Sequence, residues 1–475
     1  MEEKGRKQVL EEIKSEQKWK EFVDNQAILE NYKAHGESLL PVLEYFKTLL
    51  SDKEGPSVPI DLGRITRTLE SIIYYYWKDE KIVIEACKML ATVAANSQTS
   101  PISKQRAETI FVYIINSHSA SIELLSQGLQ GLVNTTTWAG LSSGLFTLSL
   151  AERLMDLMDL TDTINQEPHK SCHEFAIKVL FNVLRKSEIL REIGPIPILQ
   201  RMLRYIDRPL HFRDQELFHW ALRIINTSTS FRYADIFVPF LRDNFAFVKK
   251  IISFIDVPFF ALKACNIVGN LMSIDNEDLS ILILSETDYL DKLYNVIRSS
   301  KDDQLLCEVC YDISNITGGT VMKHIELVVY HDIFSELIAL AKSGAPKIRK
   351  EAGWAVANTA KHPDVSLHER LMELGIVELI CELMAVKELE LYLVCLQACG
   401  SMMFEMEAVV DNETIIYNPV AIRIGECGGI ETMEAGIVNC PQAAELERNI
   451  MKMYFGKSYE DFLARRRGLK LKRAV

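Results

Sequence analysis

LCEVCYDISNIT, residues 306–317, and RKEAGWAVANTA, residues 349–360, can be laid on each other without a gap. Each places a Glu three residues before an aromatic and an Asn four residues after it: Glu308, Tyr311 and Asn315 in one, Glu351, Trp354 and Asn358 in the other. Residues four apart share a helix face, so the spacing is a helical one. The same frame extends outward to Asn270 in IVGNLMS, Asn182 in VLFNVLR and Asn134 in GLVNTTT, and without the Asn to Ile224, Thr92 and Ser401. From 92 to 401 the successive steps are 42, 48, 42, 46, 45, 43 and 43 residues.

A helical unit recurring at this period is the signature of armadillo or HEAT arrays, in which each hairpin buries its apolar face on its neighbours. Apolar residues elsewhere keep the helical spacing, as in Leu327-Val328, Ile333-Phe334, Leu337-Ile338 and Leu340. Breakers fall between helix-length segments, at Gly194-Pro195-Ile196-Pro197 and Gly344-Ala345-Pro346, and strand alternation bounded by Asn-Gly or Asp-Gly turns is absent. The fold class is therefore read as all-α. The expected organisation is a superhelical solenoid of armadillo or HEAT type, with about ten helical repeats over 40–455. An N-terminal helical segment at 1–39 and a basic tail at 456–475 flank it.

Hydrophobic residues make up 48% of the 475 and charged ones 25%, which excludes whole-chain disorder. The 22 Gly and 14 Pro are too few for an all-β chain. A net charge of -12 argues against a general nucleic-acid coat. That charge is uneven. Residues 464–475 carry Arg465, Arg466, Arg467, Lys470, Lys472 and Arg473 and no acid, so setting those cations aside leaves -18 on the rest. The segment MEEKGRKQVLEE lacks the apolar core of a signal peptide. The densest apolar run, Ile72-Ile73-Tyr74-Tyr75-Tyr76-Trp77, is far too short to span a membrane. With no such signal, the 10 Cys are expected to be reduced thiols of the cytoplasm or nucleus.

No phosphate-loop, dinucleotide, zincin or hydrolase motif occurs. Cys307 and Cys310 have a metal-ligand spacing but sit inside a helical repeat, where small core residues are the expected reading. His169-Lys-Ser-Cys172-His173 is expected in a surface loop between helices, and Gly318-Gly319-Thr320 to close a helix. No catalytic residue, metal or cofactor is expected, and the chain is not expected to be an enzyme.

The strings ALKACNIVGNLMSID, EVCYDISNITGGT, KEAGWAVANTA and IGECGGIETMEAGIVN resemble motifs of the importin-α family of armadillo-repeat nuclear import adaptors. The resemblance spans residues 40–455, is strong from 261 onward and is faint before 180. It implies an all-α, armadillo-repeat, right-handed superhelical solenoid of about ten repeats, with a concave groove that holds the basic nuclear localisation signal of a cargo in extended form. It also implies an importin-β-type carrier, an export receptor and shuttling between cytoplasm and nucleus. The chemistry suits such binding, because Asn amides bond the peptide main chain, indole faces clasp Lys and Arg stems, and carboxylates select for cations. The later-repeat site implied here comprises Asn270, Asp275, Glu308, Tyr311, Asn315, Glu351, Trp354 and Asn358.

The early repeats depart from that pattern. Their aromatic positions read Lys88, Gln130 and Lys178, leaving Asn134 and Asn182, and Trp138 replaces an acid. A lysine where a cargo lysine should stack repels it, so the early site is expected not to take an ordinary basic signal. For Trp220, between the two sites, core packing and groove lining are equally open. Asn266 stands where the family often has Arg, and residues 1–35 lack the Arg cluster of an importin-β-binding arm. The basic tail reads either as a solvated segment or as an autoinhibitory ligand for the chain's own groove. The rival to a transport adaptor is a non-transport armadillo scaffold binding other peptides or proteins. Neither reading expects membrane or direct nucleic-acid contact.

Overall fold

The computed structural model describes residues 17–455, apart from 52–59, 97, 118, 137–144, 146, 163–165, 186, 208–214, 230, 275, 387, 407–408, 412–413 and 436–439. Two compact units divide the chain, Met1–Ser228 and Thr229–Val475.

In the first unit the helices Leu62–Tyr75 and Glu80–Ala95 form a pair, followed by Pro101–Asn116 with Ile122–Thr136 and Leu148–Thr161 with His169–Leu184. Ser187–Ile193, Pro195–Ile206 and Gln215–Ser228 complete it. The last helix of each group packs on the last helix of the next: 80–95 on 122–136, 122–136 on 169–184, and 169–184 on 215–228. In the second unit the groups are triplets, such as Glu277–Glu286, Tyr289–Ser299 and Asp303–Gly318, then Met322–Val329, Ile333–Ser343 and Pro346–Thr359. Their final helices pack in the same succession, Pro258–Met272 on 303–318, 303–318 on 346–359, and 346–359 on Leu389–Glu405. Groups of two or three helices recurring every forty-odd residues define an armadillo-type array. All eight frame positions, from Thr92 to Ser401, fall on these final helices, called ladder helices below.

Local chemistry explains the punctuation. Pro101, Pro195, Pro258 and Pro346 each open a helix, where a missing N–H costs nothing. The Asp302 carboxylate accepts from the backbone N–H of Gln304 and Leu305, and the Asn276 side chain from that of Leu279. Gly194 links two helices at φ 78°, a conformation that disfavours any side chain.

The helix 258–272 lies so close to 303–318 that only glycine fits at 269. A Cβ there would stand 1.7 Å from Oδ1 of Asp312. Asp312 is fully buried, and the Tyr289 hydroxyl donates to its Oδ2 at 3.0 Å.

The fold is all-α as expected, with one small addition, and one local expectation needs correction. A short antiparallel hairpin, Val409–Asp411 with Thr414–Tyr417, interrupts the helices, with Asp411 opposite Thr414. Its Val- and Ile-rich strands have high β-propensity, but Asn412-Glu413 separates them, so a search for Asn-Gly or Asp-Gly turns passes over it. The HKSCH stretch is not a surface loop; it forms the first turn of the helix His169–Leu184. Cys172 and His173 are buried there, four residues before Ala176 and Ile177 on the same face. The His173 ring shares a hydrogen bond with the Thr161 hydroxyl at 3.1 Å, and burial pushes the Cys172 thiol up to about 12. Cys307 and Cys310 are free thiols within the 303–318 helix, with Cys310 buried.

Candidate functional site

The ladder helices 303–318 and 346–359 bring six of the eight later-repeat residues together. Two adjoining cavities share Tyr311 and Glu351. One, of about 660 Å³, is also lined by Asn315, Trp354 and Asn358, and the other, of about 980 Å³, by Glu308. Asn270 is half-buried on the preceding ladder helix, and its neighbours Met272 and Ser273 line the first cavity. Asp275 lies outside the described residues, as do Trp138, residues 1–16 and the tail cations Arg465, Arg466, Arg467, Lys470, Lys472 and Arg473.

Tyr311 stands 47% exposed, an aromatic presented to solvent rather than to the core. Glu308 and Glu351 are partly buried, and burial raises both carboxyls above their ordinary range. For Glu308 a hydrogen bond with Asn266 and the Lys263 charge act in the opposite sense. For Glu351, Lys350 opposes the shift while Glu388, Glu390 and Glu308 add to it. A cation placed between them would draw both back toward the ionised form.

Three ladder amides share one geometry that the sequence does not reveal. Asn358 Nδ2 donates to the Ser314 carbonyl at 3.1 Å, Asn315 Nδ2 to that of Gly269 at 3.4 Å, and Asn134 Nδ2 to that of Ala91 at 3.2 Å. Each acceptor is the residue just before the ladder position of the preceding repeat. The Gly269 carbonyl already accepts from the backbone of Ser273, so the amide takes its second lone pair. Oδ1 of Asn358 is buried and accepts nothing among the described residues. Each of these Asn side chains thus ties its own repeat to the one before it.

Residues that the repeat frame did not single out complete the site. Lys350, one turn before Trp354, holds its ammonium 5.9 Å from the indole centre and donates to Glu388 and Glu390, both at 2.9 Å. The chain's own lysine therefore makes the contact that a bound lysine would make: aromatic face below, two carboxylates above. The one-turn spacing from Lys350 to Trp354 was readable in KEAGW. The carboxylates belong to the next repeat and were not.

In the first unit, Lys88 bonds Glu85 at 2.7 Å, and Gln130 donates to Oδ1 of Asn134 at 3.0 Å. Asn182 is half-buried on the 169–184 helix. Trp220 is neither plain core nor open wall. Its ring meets Phe181 at 5.4 Å, its Nε1–H donates to Glu216 at 2.9 Å, and Lys178 and Arg223 stand 5.8 and 4.5 Å from its centre.

Fold and site together define an armadillo-type helical repeat protein whose ladder helices carry a polar, aromatic and acidic groove. No protein-family model matches the chain, and no curated protein matches it by sequence. Among solved structures, it is similar to the crystal structure of an engineered protein, at 14% identity and TM-score 0.65, over 88% of this chain and 95% of that one. A designed armadillo repeat protein in complex with the peptide (KR)4 matches at 17% identity and TM-score 0.44, over 52% of this chain and 99% of that one. Computationally designed armadillo repeat proteins for modular peptide recognition match at 16% identity and TM-score 0.44, over the same shares. At these identities the first likeness concerns fold alone.

Proposed function

We propose that the groove of the second unit binds extended, Lys/Arg-rich peptide segments, and that the protein acts by binding rather than by catalysis. The observation that carries this reading is Lys350 seated over Trp354 between Glu388 and Glu390, beside an amide ladder that can bond a peptide main chain. Glu308 and Glu351 offer further carboxylates along the same wall. The resemblance of residues 261–455 to importin-α motifs gives the sharper form of the proposal. In that form the peptides are nuclear localisation signals of cargo, delivered with an importin-β-type carrier, and the protein is recycled by an export receptor between nucleus and cytoplasm. A second reading, a scaffold with no transport role, is favoured by one observation: the early frames present Lys88, Gln130 and Lys178 where aromatics would grip cargo.

Titration of a labelled, alternating Lys-Arg peptide into wild type and Trp354→Ala tests the groove. Micromolar or tighter binding is expected for wild type. Losing the indole should weaken it by about 1 kcal/mol or more. Equal, weak binding by both proteins would remove the proposal. Capture of an importin-β-type carrier separates adaptor from scaffold.

A further inference from the structure

The first unit carries a cluster of opposite polarity. Phe181 on the 169–184 ladder helix and Trp220 on the 215–228 ladder helix meet edge to face, with ring centres 5.4 Å apart. The Arg223 guanidinium lies over both, 4.2 Å from the phenyl centre and 4.5 Å from the indole centre. Lys178 approaches the same indole from the neighbouring helix at 5.8 Å. Arg185, exposed one turn beyond Phe181, is near enough for its charge to act on Arg223, whose guanidinium burial already makes less basic.

None of these three cations forms an ion pair among the described residues. Glu216, the acid beside them, instead accepts the Trp220 indole N–H at 2.9 Å, and Glu174 faces Lys170 at 3.9 Å. Several other cations of the unit are matched, such as Lys88 with Glu85, Arg106 with Glu70, and Arg201 and Arg204 with Asp159. Three neighbouring positive groups left unmatched on an aromatic base, in a chain of net charge -12, mark a place where an anionic partner supplies the missing charge.

We infer that the Lys178–Phe181–Arg185–Trp220–Arg223 cluster is a docking site for an extended acidic peptide segment, distinct from the basic-peptide groove of the second unit. Arg223 is preorganised by its two rings, so little side-chain freedom remains to be lost when it takes a carboxylate. Lys178 and Arg185 are placed to receive carboxylates on either side of it. A nucleic acid fits less well. Its phosphates run continuously, whereas Glu85, Glu174 and Glu216 interrupt the cationic stretch of these helices.

The test uses the full chain and a fluorescein-labelled peptide of alternating Glu and Ser, titrated at low salt. Binding is expected, with at least about a tenfold loss in Lys178→Glu/Arg185→Glu, whose side chains do not form the buried part of the stack. The charge-conserving Lys178→Arg/Arg185→Lys should keep near wild-type affinity, and both variants should bind the Lys-Arg peptide as wild type does. That last readout separates failure here from failure of the second-unit groove. No binding of the Glu-Ser peptide, or equal binding by the charge-reversed variant, would overturn the inference. So would a single-stranded oligonucleotide that binds tighter than the peptide and loses its affinity in the same variant.

Discussion

Asp312 is an acid held where water cannot reach it. Burial raises its carboxyl well above the carboxylate range, the Glu308 charge adds to the shift, and the Tyr289 hydrogen bond opposes it. The folded chain therefore keeps this proton more tightly than the unfolded chain, whose carboxyl titrates near about 4. Its contribution to stability is greatest below that value and declines as pH rises toward the raised folded value, because the unfolded state then gains by ionising. Asp312→Asn removes the proton from the balance while keeping the shape. Thermal unfolding across mildly acidic to mildly alkaline pH should show the variant gaining on wild type as pH rises. A difference independent of pH would count against a protonated Asp312. No residue pattern announced this site, since Asp312 sits one position past Tyr311 in a frame read for its groove face.

At the scale of helices, the pair 258–272 and 303–318 depends on the absence of one methyl group. Gly269→Ala would push a Cβ into Asp312, and neither helix can yield without moving its ladder residue. A loss of about 1–3 kcal/mol is expected from such overpacking. Chemical denaturation measures it, and a loss within error of zero would mean that the helices slide apart freely. The ladder helices were legible in the sequence because their frame repeats seven times at nearly constant period, which leaves little room for another fold. What was not legible required contacts between repeats. Lys350 belongs with Glu388 and Glu390 through a neighbouring helix, and Asn358 belongs with a carbonyl in the preceding repeat. At Cys172 and His173 the polar, metal-capable side chains of HKSCH mask a buried helix face, so the stretch reads as a loop. The hairpin at 409–417 escaped because its strands are shorter than any period could register.

For the whole molecule, charge is the organising quantity. An acidic body of -18 bears the cations of residues 464–475, and those cations have the chemistry proposed for ligands of the second-unit groove. We expect deletion of 464–475 to tighten binding of the Lys-Arg peptide, measured by anisotropy at low and moderate salt, with the gain shrinking as salt screens the tail. Unchanged affinity on deletion would show that the tail does not compete. The acidic-peptide site should respond to salt in the same sense but to this deletion far less, because its ligand is drawn by Lys178, Arg185 and Arg223. Composition gave the sign of the total charge. It could not show that Arg223 is enclosed by two rings while Lys350 is held by two carboxylates, which makes one seat a lure for anions and the other for cations.

The bonds from Asn315 and Asn358 to carbonyls of the preceding repeat have a thermodynamic consequence. An amide already pinned to its neighbour gave up its rotational freedom when the chain folded, not when a ligand arrives. Each has two N–H groups, one of which is committed to the neighbouring carbonyl, so at most one remains to meet a peptide. Association at this groove then draws on rigidity that folding has already established, and its entropy change should come mainly from the incoming peptide and displaced water.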